Sequence, residues 1–335
     1  MARAMLLKKP GGLDNLALGD ADTPAPQRGE ISVKLSASSL NYHDYLVVKG
    51  MIPVEEGRIP MSDGAGVVTA IGEGVSAFAV GDHVMSTFFP EWLSGEPTME
   101  KLRAVPGDRT QGYARESVTA PATSFTKAPK GWTHEEAATL PCAGLTVWRA
   151  LVCEGEIKAG DWVLAQGTGG VSIFAVQFAK MCGANVIATS SSDAKLQRLK
   201  ALGADHVINY KSNPDWGAEA QKISGRGVDH VVEIGGPGTL AQSIRACRIG
   251  GHISMIGVLA GYAGEVATGL IMGKQIRLIG ITVGSREQQE DMVRAIDAAP
   301  TLRPVIDKTF PLQALGDAFR HQESGAHFGK ICISM

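Results

Sequence analysis

Five consecutive residues, Asn41, Tyr42, His43, Asp44 and Tyr45, sit inside the stretch SLNYHDYLVVKG. They put an amide, two phenols, an imidazole and a carboxylate side by side between apolar flanks. Three chemistries are open to such a set. A His and an Asp could ligate a metal, His43 could pass a proton, or the amide and phenol donors could form a polar wall facing an oxygen that gains negative charge. Packing offers a plainer account, with half-buried tyrosines and His43 paired to Asp44. Adjacent residues of a strand point to opposite faces, so as the end of a strand the five cannot all address one cleft.

A second stretch, VLAQGTGGVSIFAVQFAK, places Gly167, Gly169, Gly170 and Val171 between an apolar strand and a helical pattern. Glycines there permit a tight turn and let the backbone approach a pyrophosphate at the helix N-terminus. Ser172 stands where the fingerprint prefers Gly or Ala, and a side chain that small still allows helix and strand to pack closely. About 20 positions further on, an acid would hold the ribose of NAD. The chain instead reads ATSSSDAK, with Ser190 and Ser191 at the strand tip, Asp193 in a helix-cap position and Lys195 beyond. Hydroxyls plus one cation suit a 2′-phosphate, which favours NADPH; in the plain alternative, Ser192 or Asp193 caps a helix and Lys195 is solvated.

The elements that must carry these residues fall into two grammars. Up to about residue 120, ISVKLSASSLNY and DGAGVVTAIGEGVSAFAVGDHVMS alternate and are broken by glycine, the pattern of short β-strands. From about 140, strands (DWVLAQG, NVIATS, HVINY, DHVVEIGG, HISMIGV, IRLIGITVG) alternate with helices, which predicts a parallel doubly wound α/β sheet. FPLQALGDAFRHQESGAHFGKICISM returns to a helix and a terminal strand. The domain boundaries expected are 1–124 with 284–335 for the β-rich part and 125–283 for the nucleotide-binding part.

At 335 residues, 44% hydrophobic and 20% charged, the chain has the composition of a globular protein with two domains. A net charge of −2 gives no reason to expect nucleic acid or an anionic membrane as partner. No apolar run is long enough to span a bilayer, and MARAMLLKKP is too short in apolar residues for a signal peptide. The five cysteines are scattered without a CxxC pair, so neither a disulfide framework nor a thiolate zinc site is indicated, and a reducing cytoplasm is expected.

Taken together, LNYHD, PMSDGAGVV, AATLPCAGLTVW, GTGGVS, LGADHVINY and HFGKICI resemble the medium-chain dehydrogenase/reductase superfamily over essentially the whole chain. The resemblance implies a GroES-like β-rich domain, a Rossmann domain and an active site in the cleft between them. Zinc alcohol dehydrogenases of that superfamily carry a cysteine where this chain has Asn41, and a His-Glu pair where it has Ser62-Asp63. Their structural zinc needs four cysteines in the loop corresponding to about 90–115, where this chain has none. The chain therefore looks like the zinc-free, quinone-oxidoreductase-like branch, with no metal. By the same resemblance, Asn41 and Asp44 are the branch's Asn-x-x-Asp, Lys195 and Tyr210 would lie near the 2′-phosphate, and Thr146 near the nicotinamide. Gly235, Gly257 and Val283 would line the cofactor, and Lys330 would lie near the cleft. A homodimer is the habit of the family.

Without zinc to lower the pKa of a bound alcohol, the easier reaction is hydride transfer to an activated acceptor, a quinone or an α,β-unsaturated carbonyl. Tyr45 and Asn41 are the first candidates to donate to the acceptor oxygen, then Tyr42, with His43 as a proton source. The alternatives are a zinc-free alcohol dehydrogenase or ketone reductase on the same fold, and an NADPH-binding protein with little catalysis. The apolar loop TFFPEWLSG suggests a roomy, aromatic-lined entrance for the small-molecule substrate.

Overall fold

The computed structural model describes residues 2–335. The chain divides into two compact units, the first running up to Leu145 and resuming at Val283–Met335, the second comprising Thr146–Thr282. The first unit thus extends some twenty residues beyond the boundary expected from sequence, because Phe125–Lys127 is still a strand of its sheet and Phe125 is wholly buried there.

In the first unit, β1 (Ala2–Leu7) and β2 (Leu16–Ala21) form an antiparallel hairpin. The main sheet is built from β3 (Glu30–Ser39), β4 (Ala65–Ile71), β5 (His83–Ser86), β6 (Ser117–Pro121) and β7 (Phe125–Lys127). Between them lie α1 (Tyr42–Val48) and the short α2 (Met99–Leu102). Ile31, Val33 and Leu35 alternate inward along β3 and pack with Val68, Val84, Val118 and Phe125, as a half-buried antiparallel sheet requires.

NYHDYLVV is helix, not the continuation of a strand. The chain turns at Asn41 (φ −121°, ψ 160°), and Asp44, three residues on, reaches back to the Asn41 N–H at 3.0 Å. That is the carboxylate half of a capping box, and Val47 and Val48 bury the other side of the helix against the β1 residues Met5 and Leu7. The stretch from 134 continues as α3 (His134–Ala138), a π-helical turn at Leu140–Gly144, α4 (Leu145–Trp148) and a second π turn at Arg149–Cys153.

The second unit has β8 (Trp162–Gln166), α5 (Gly170–Met181), β9 (Asn185–Ser190), α6 (Asp193–Ala201), β10 (His206–Asn209) and α7 (Trp216–Ser224). There follow β11 (Val228–Glu233), α8 (Pro237–Ala246), β12 (Cys247–Met255), α9 (Thr268–Gly273) and β13 (Arg277–Gly280). All pairs in this sheet are parallel, in the order β10-β9-β8-β11-β12-β13. Strand order reverses between β8 and β11, and in such sheets ligands bind beyond the carboxyl ends of the strands at this switch point. The first unit is completed by α10 (Arg286–Ala298), β14 (Ile306–Pro311), α11 (Leu315–Glu323) and β15 (Lys330–Ser334), with β15 antiparallel to β3. This last pairing sets Lys330 beside the N-terminal end of α1. Among the described residues, no helix is long and apolar enough to cross a membrane.

Candidate active site and cofactor loops

Asn41, Asp44, Ser62, Asp63 and Lys330 form one buried polar cluster in the first unit. Asp44 accepts from two backbone amides, Asn41 N–H at 3.0 Å and Ser62 N–H at 2.8 Å, and so ties the start of α1 to the segment before β4. The Asn41 amide nitrogen donates to Ser62 Oγ (3.1 Å) and Asp63 Oδ2 (2.8 Å), and its Oδ1 accepts from Lys330 Nζ at 2.6 Å. Lys330 Nζ also donates to the Leu40 carbonyl at 2.7 Å and stands 3.8 Å from Asp63 Oδ2. Ser39 Oγ donates to Asp63 Oδ2 at 3.0 Å. Met61, just before this pair, is buried with φ +79°, a left-handed conformation unusual for a residue with a Cβ, and its carbonyl accepts from Tyr113 N–H.

Burial dominates the electrostatics. It raises the Asp63 carboxyl to about 7, although the nearby Lys330 ammonium and the Asn41 and Ser39 hydrogen bonds pull the other way. Burial also raises Asp44 to about 6, against its hydrogen bonds and Lys330. The Cys142 thiol, in the π turn after α3, is pushed well above its ordinary value by burial and then by Asp63, so it stays protonated.

This donor set does not fit a catalytic zinc, which takes about three N, S or O ligands around an open position. The Asn41 amide is engaged at both its oxygen and its nitrogen, Asp63 Oδ2 accepts from Asn41 and Ser39, and the Lys330 ammonium stands 3.8 Å from it; Asp63 Oδ1, buried without a hydrogen-bond partner, offers one ligand atom where about three are needed. Among the described residues, no group of three or more His, Cys, Asp or Glu side chains is arranged to hold a metal ion.

The other residues of the 41–45 stretch point elsewhere. Tyr45 O–H donates to Glu323 on α11 at 2.7 Å, so its hydroxyl is committed to a surface contact that also involves Lys49. Tyr42 is 44% exposed and its ring stacks on Tyr45. His43 faces not Asp44 but Asp108, from the loop after α2. The aromatic loop is not an open entrance: Phe88, Phe89 and Trp92 are buried, pack edge-on or tilted against one another, and Trp92 Nε1 donates to the Gly95 carbonyl.

In the second unit, Gly167 has φ +76°, which lets the chain leave β8 and turn tightly into α5, with Gly169 as N-cap and Gly170 and Val171 opening the helix. Ser172 Oγ donates back to the Gln166 carbonyl at 2.5 Å, so the serine packs where a smaller residue was expected. The helix dipole and free amides of such a turn suit a phosphate. Buried Ser190 and half-buried Ser191 end β9, and Ser192 caps α6 by accepting from Lys195 N–H. Asp193 accepts from Asn209 Nδ2 at 2.7 Å, which engages the one acid near the strand tip. Lys195 is half-buried at the start of α6, and Tyr210, 41% exposed, follows β10. Thr146 is buried, and Gly257 is half-buried after β12. Val283, a β-branched residue at φ +50°, is the first residue of the resumed first unit and is buried.

Glu233 was not singled out by sequence, yet it fastens both loops at the switch point. Fully buried at the end of β11, its carboxylate accepts from Gly235 N–H (2.7 Å), Gly236 N–H (3.0 Å), Gln166 Nε2 (2.8 Å) and the hydroxyls of Thr239 and Ser243. Gln166 is the last residue before Gly167, so one carboxylate holds the glycine turns after β8 and after β11. An acid two residues before Gly-Gly at a strand end, in EIGG, was the available signal.

A doubly wound sheet with a glycine turn at its switch point, and a separate β-rich unit holding a buried polar cluster, define an oxidoreductase of the dehydrogenase class. Residues 27–130 match the family model of the alcohol dehydrogenase GroES-like domain and residues 170–298 that of the zinc-binding dehydrogenases. A Schizosaccharomyces pombe protein described as zinc-type alcohol dehydrogenase-like is 42% identical over 334 residues, covering 97% of this chain and 96% of its own. The acryloyl-coenzyme A reductase of Sulfurisphaera tokodaii is 27% identical over 97% of this chain and 98% of its own. Among solved structures, an NAD-dependent alcohol dehydrogenase superposes with a TM-score of 0.90 at 33% identity over 99% of both chains. A mycobacterial protein complexed with NADPH superposes at 0.83 with 25% identity over 100% of both. The chain belongs to the medium-chain dehydrogenase/reductase superfamily.

Replacing Lys330 by Met tests the buried cluster. Because the Asp63 and Asp44 values lie above those of an unfolded chain, their contribution to stability is present at acid pH and lost as pH rises through about 6 to 7. Without the ammonium, which holds the Asp63 value down, that value rises further, so above that range Asp63 must either take up a proton or be buried as an unpaired charge. Urea unfolding should show Lys330→Met destabilised by about 3–5 kcal/mol near pH 8.5, and by clearly less near pH 5, where Asp63 is neutral. Equal losses at both pH values would exclude the ion pair as the cause.

Proposed function

We propose that the protein is a zinc-independent, NADPH-dependent oxidoreductase that reduces a quinone or an α,β-unsaturated carbonyl. The observation that carries this reading is Lys330 Nζ, bonded to Asn41 and 3.8 Å from Asp63, at positions where the resemblance puts zinc ligands in zinc alcohol dehydrogenases. With no site suited to a metal to acidify an alcohol, reduction of an acceptor already polarised by conjugation is the chemistry this chain's residues can support. The bound nicotinamide would supply the hydride. In the second unit, Gly167, Gly169, Gly170 and Val171 would receive the pyrophosphate, with Ser190, Ser191, Lys195 and Tyr210 around the ribose phosphate. Thr146, Gly235, Gly257 and Val283 are assigned to the rest of the cofactor. In the first unit, Asn41, Asp44 and Lys330 hold the start of α1 rigid, and Tyr42 keeps a hydroxyl available to an acceptor oxygen, whereas that of Tyr45 is taken by Glu323.

The relatives' names support both halves of the reading unevenly. The acryloyl-coenzyme A reductase is named for a conjugated substrate, which favours enone-type reduction. The solved relatives include one named for NAD and one complexed with NADPH, so the preference for NADPH rests on Lys195, Tyr210 and the engagement of Asp193 by Asn209. A zinc-free alcohol dehydrogenase or ketone reductase is the second reading, favoured by the alcohol dehydrogenase relatives.

Purified protein should consume NADPH with benzoquinone, crotonaldehyde or methyl vinyl ketone faster than with butanal or cyclohexanone, and metal analysis should find no stoichiometric zinc. One tightly held zinc per chain, or preference for the simple carbonyls, would overturn the proposal. Lys195→Ala should weaken NADPH far more than NADH in fluorescence titrations, by roughly tenfold or more for the loss of one charge-assisted phosphate contact. Equal losses would reject the phosphate assignment. We further infer a homodimer, which sedimentation at micromolar concentration should report as twice 35.2 kDa.

A further inference from the structure

Asp108 is a buried carboxylate, 8% exposed, that the cluster around Asn41 does not use. Its Oδ1 is enclosed and has no hydrogen-bond partner; the Arg109 Nε lies 3.6 Å from it on a side chain that is mostly exposed. Its Oδ2 faces His43 Nε2 at 3.6 Å. A carboxylate so enclosed calls for a compensating cation or donor, and two groups stand 3.6 Å from it, the half-buried imidazole at Oδ2 and the mostly exposed Arg109 guanidinium at Oδ1. His43 Nε2 is itself enclosed without a hydrogen bond; the side chain is 26% exposed, and its open edge is assigned to the opposite nitrogen, Nδ1. Phe88 packs edge-on against the ring at 5.6 Å between centroids and fixes its plane.

This pairing has a chemical consequence. A carboxylate beside Nε2 favours the tautomer with the proton on Nε2 and leaves Nδ1 to accept or donate at the accessible edge. A carboxylate that orients an imidazole from behind is the arrangement by which histidine moves protons in acid-base catalysis. The contact is longer than a hydrogen bond, and catalytic contacts of this kind tighten when substrate is bound.

We propose that His43, oriented by Asp108, is the acid that protonates the acceptor during reduction, a step that rests on the oxidoreductase reading above. Hydride from the cofactor adds to the electrophilic carbon of the acceptor, and the electron pair of the broken π bond moves to its oxygen. His43 Nδ1–H gives that oxygen its proton, the neutral ring regains one from solvent through its exposed edge, and the cofactor leaves oxidised. In the reverse direction the neutral ring removes the proton. Asp108 is a positioning residue.

The pH dependence follows from the groups facing the ring. Asp108 and Arg109 come from the loop after α2; Asp44, next on α1, is turned to backbone amides; Phe88 is uncharged. Burial lowers the His43 value below its ordinary 6.5, Asp108 raises it, and Arg109 lowers it. Reduction at saturating acceptor should therefore slow as pH rises through a value on the acid side of 6.5, and oxidation should quicken over the same range.

The test uses the whole protein with NADPH and the best of the acceptors named above. His43→Gln should lower kcat by about a hundredfold or more, leave NADPH affinity unchanged and abolish the pH limb. Asp108→Asn, which keeps the ring, should lose less activity and move the limb to lower pH. Wild-type kcat and limb in His43→Gln, or an unmoved limb in a folded Asp108→Asn, would overturn the assignment. If wild-type protein reduces none of the acceptors, the oxidoreductase reading fails and the proton role fails with it. Turnover in wild type with unaffected variants sinks the His43 assignment alone.

Discussion

A lysine ammonium buried among an amide, a carbonyl and a carboxylate is the constraint on which the first unit depends. Lys330 arrives on β15, the last strand, and its charge is satisfied by Leu40 and Asn41 at the start of α1 and by Asp63 before β4. Three segments far apart in sequence are fastened at one atom. Removing a charge from water costs several kcal/mol unless its hydrogen bonds are made good, so the surroundings of Lys330 have little freedom. The same constraint explains why Asn41 does not face outward: its oxygen and its nitrogen are both spent inside the cluster.

The second unit has a counterpart. Glu233 gathers two backbone amides, an amide side chain and two hydroxyls at the switch point of the parallel sheet. Hydrogen bonds to a charged group are each worth about 1.5–3 kcal/mol, and here they order loops that would otherwise be the least restrained parts of the unit. In both units a buried, hydrogen-bonded side chain does the positioning, while Tyr42 stays exposed outside the cluster.

Much of the fold was legible because periodicity reports it. The alternation of β3, the strand-helix tempo from β8 onward and the glycine turn before α5 all follow from local rules of side-chain spacing and backbone freedom. The 41–45 stretch was harder. Its β-rich approach in β3 invited a continued strand, whereas Asn41 and Asp44 are spaced to cap a helix, and the helix turns the five side chains in different directions. The aromatic loop misled for a related reason: ring content alone does not say whether Phe88, Phe89 and Trp92 face solvent or one another. The boundary at 124 was set by a change in pattern, but β7 pairs with β5 and keeps the following residues with the first unit.

By itself the sequence determined the class: a β-rich unit and a dinucleotide-type sheet with its glycine turn. These are local properties, carried by residue type and spacing. The tertiary structure decided the partners. That Lys330 sits beside Asn41, that Glu233 spans two loops and that His43 turns to Asp108 rather than Asp44 are contacts across tens to hundreds of residues. No local rule encodes them, because they are set by strand order and by which buried charges must be neutralised where the chain closes on itself.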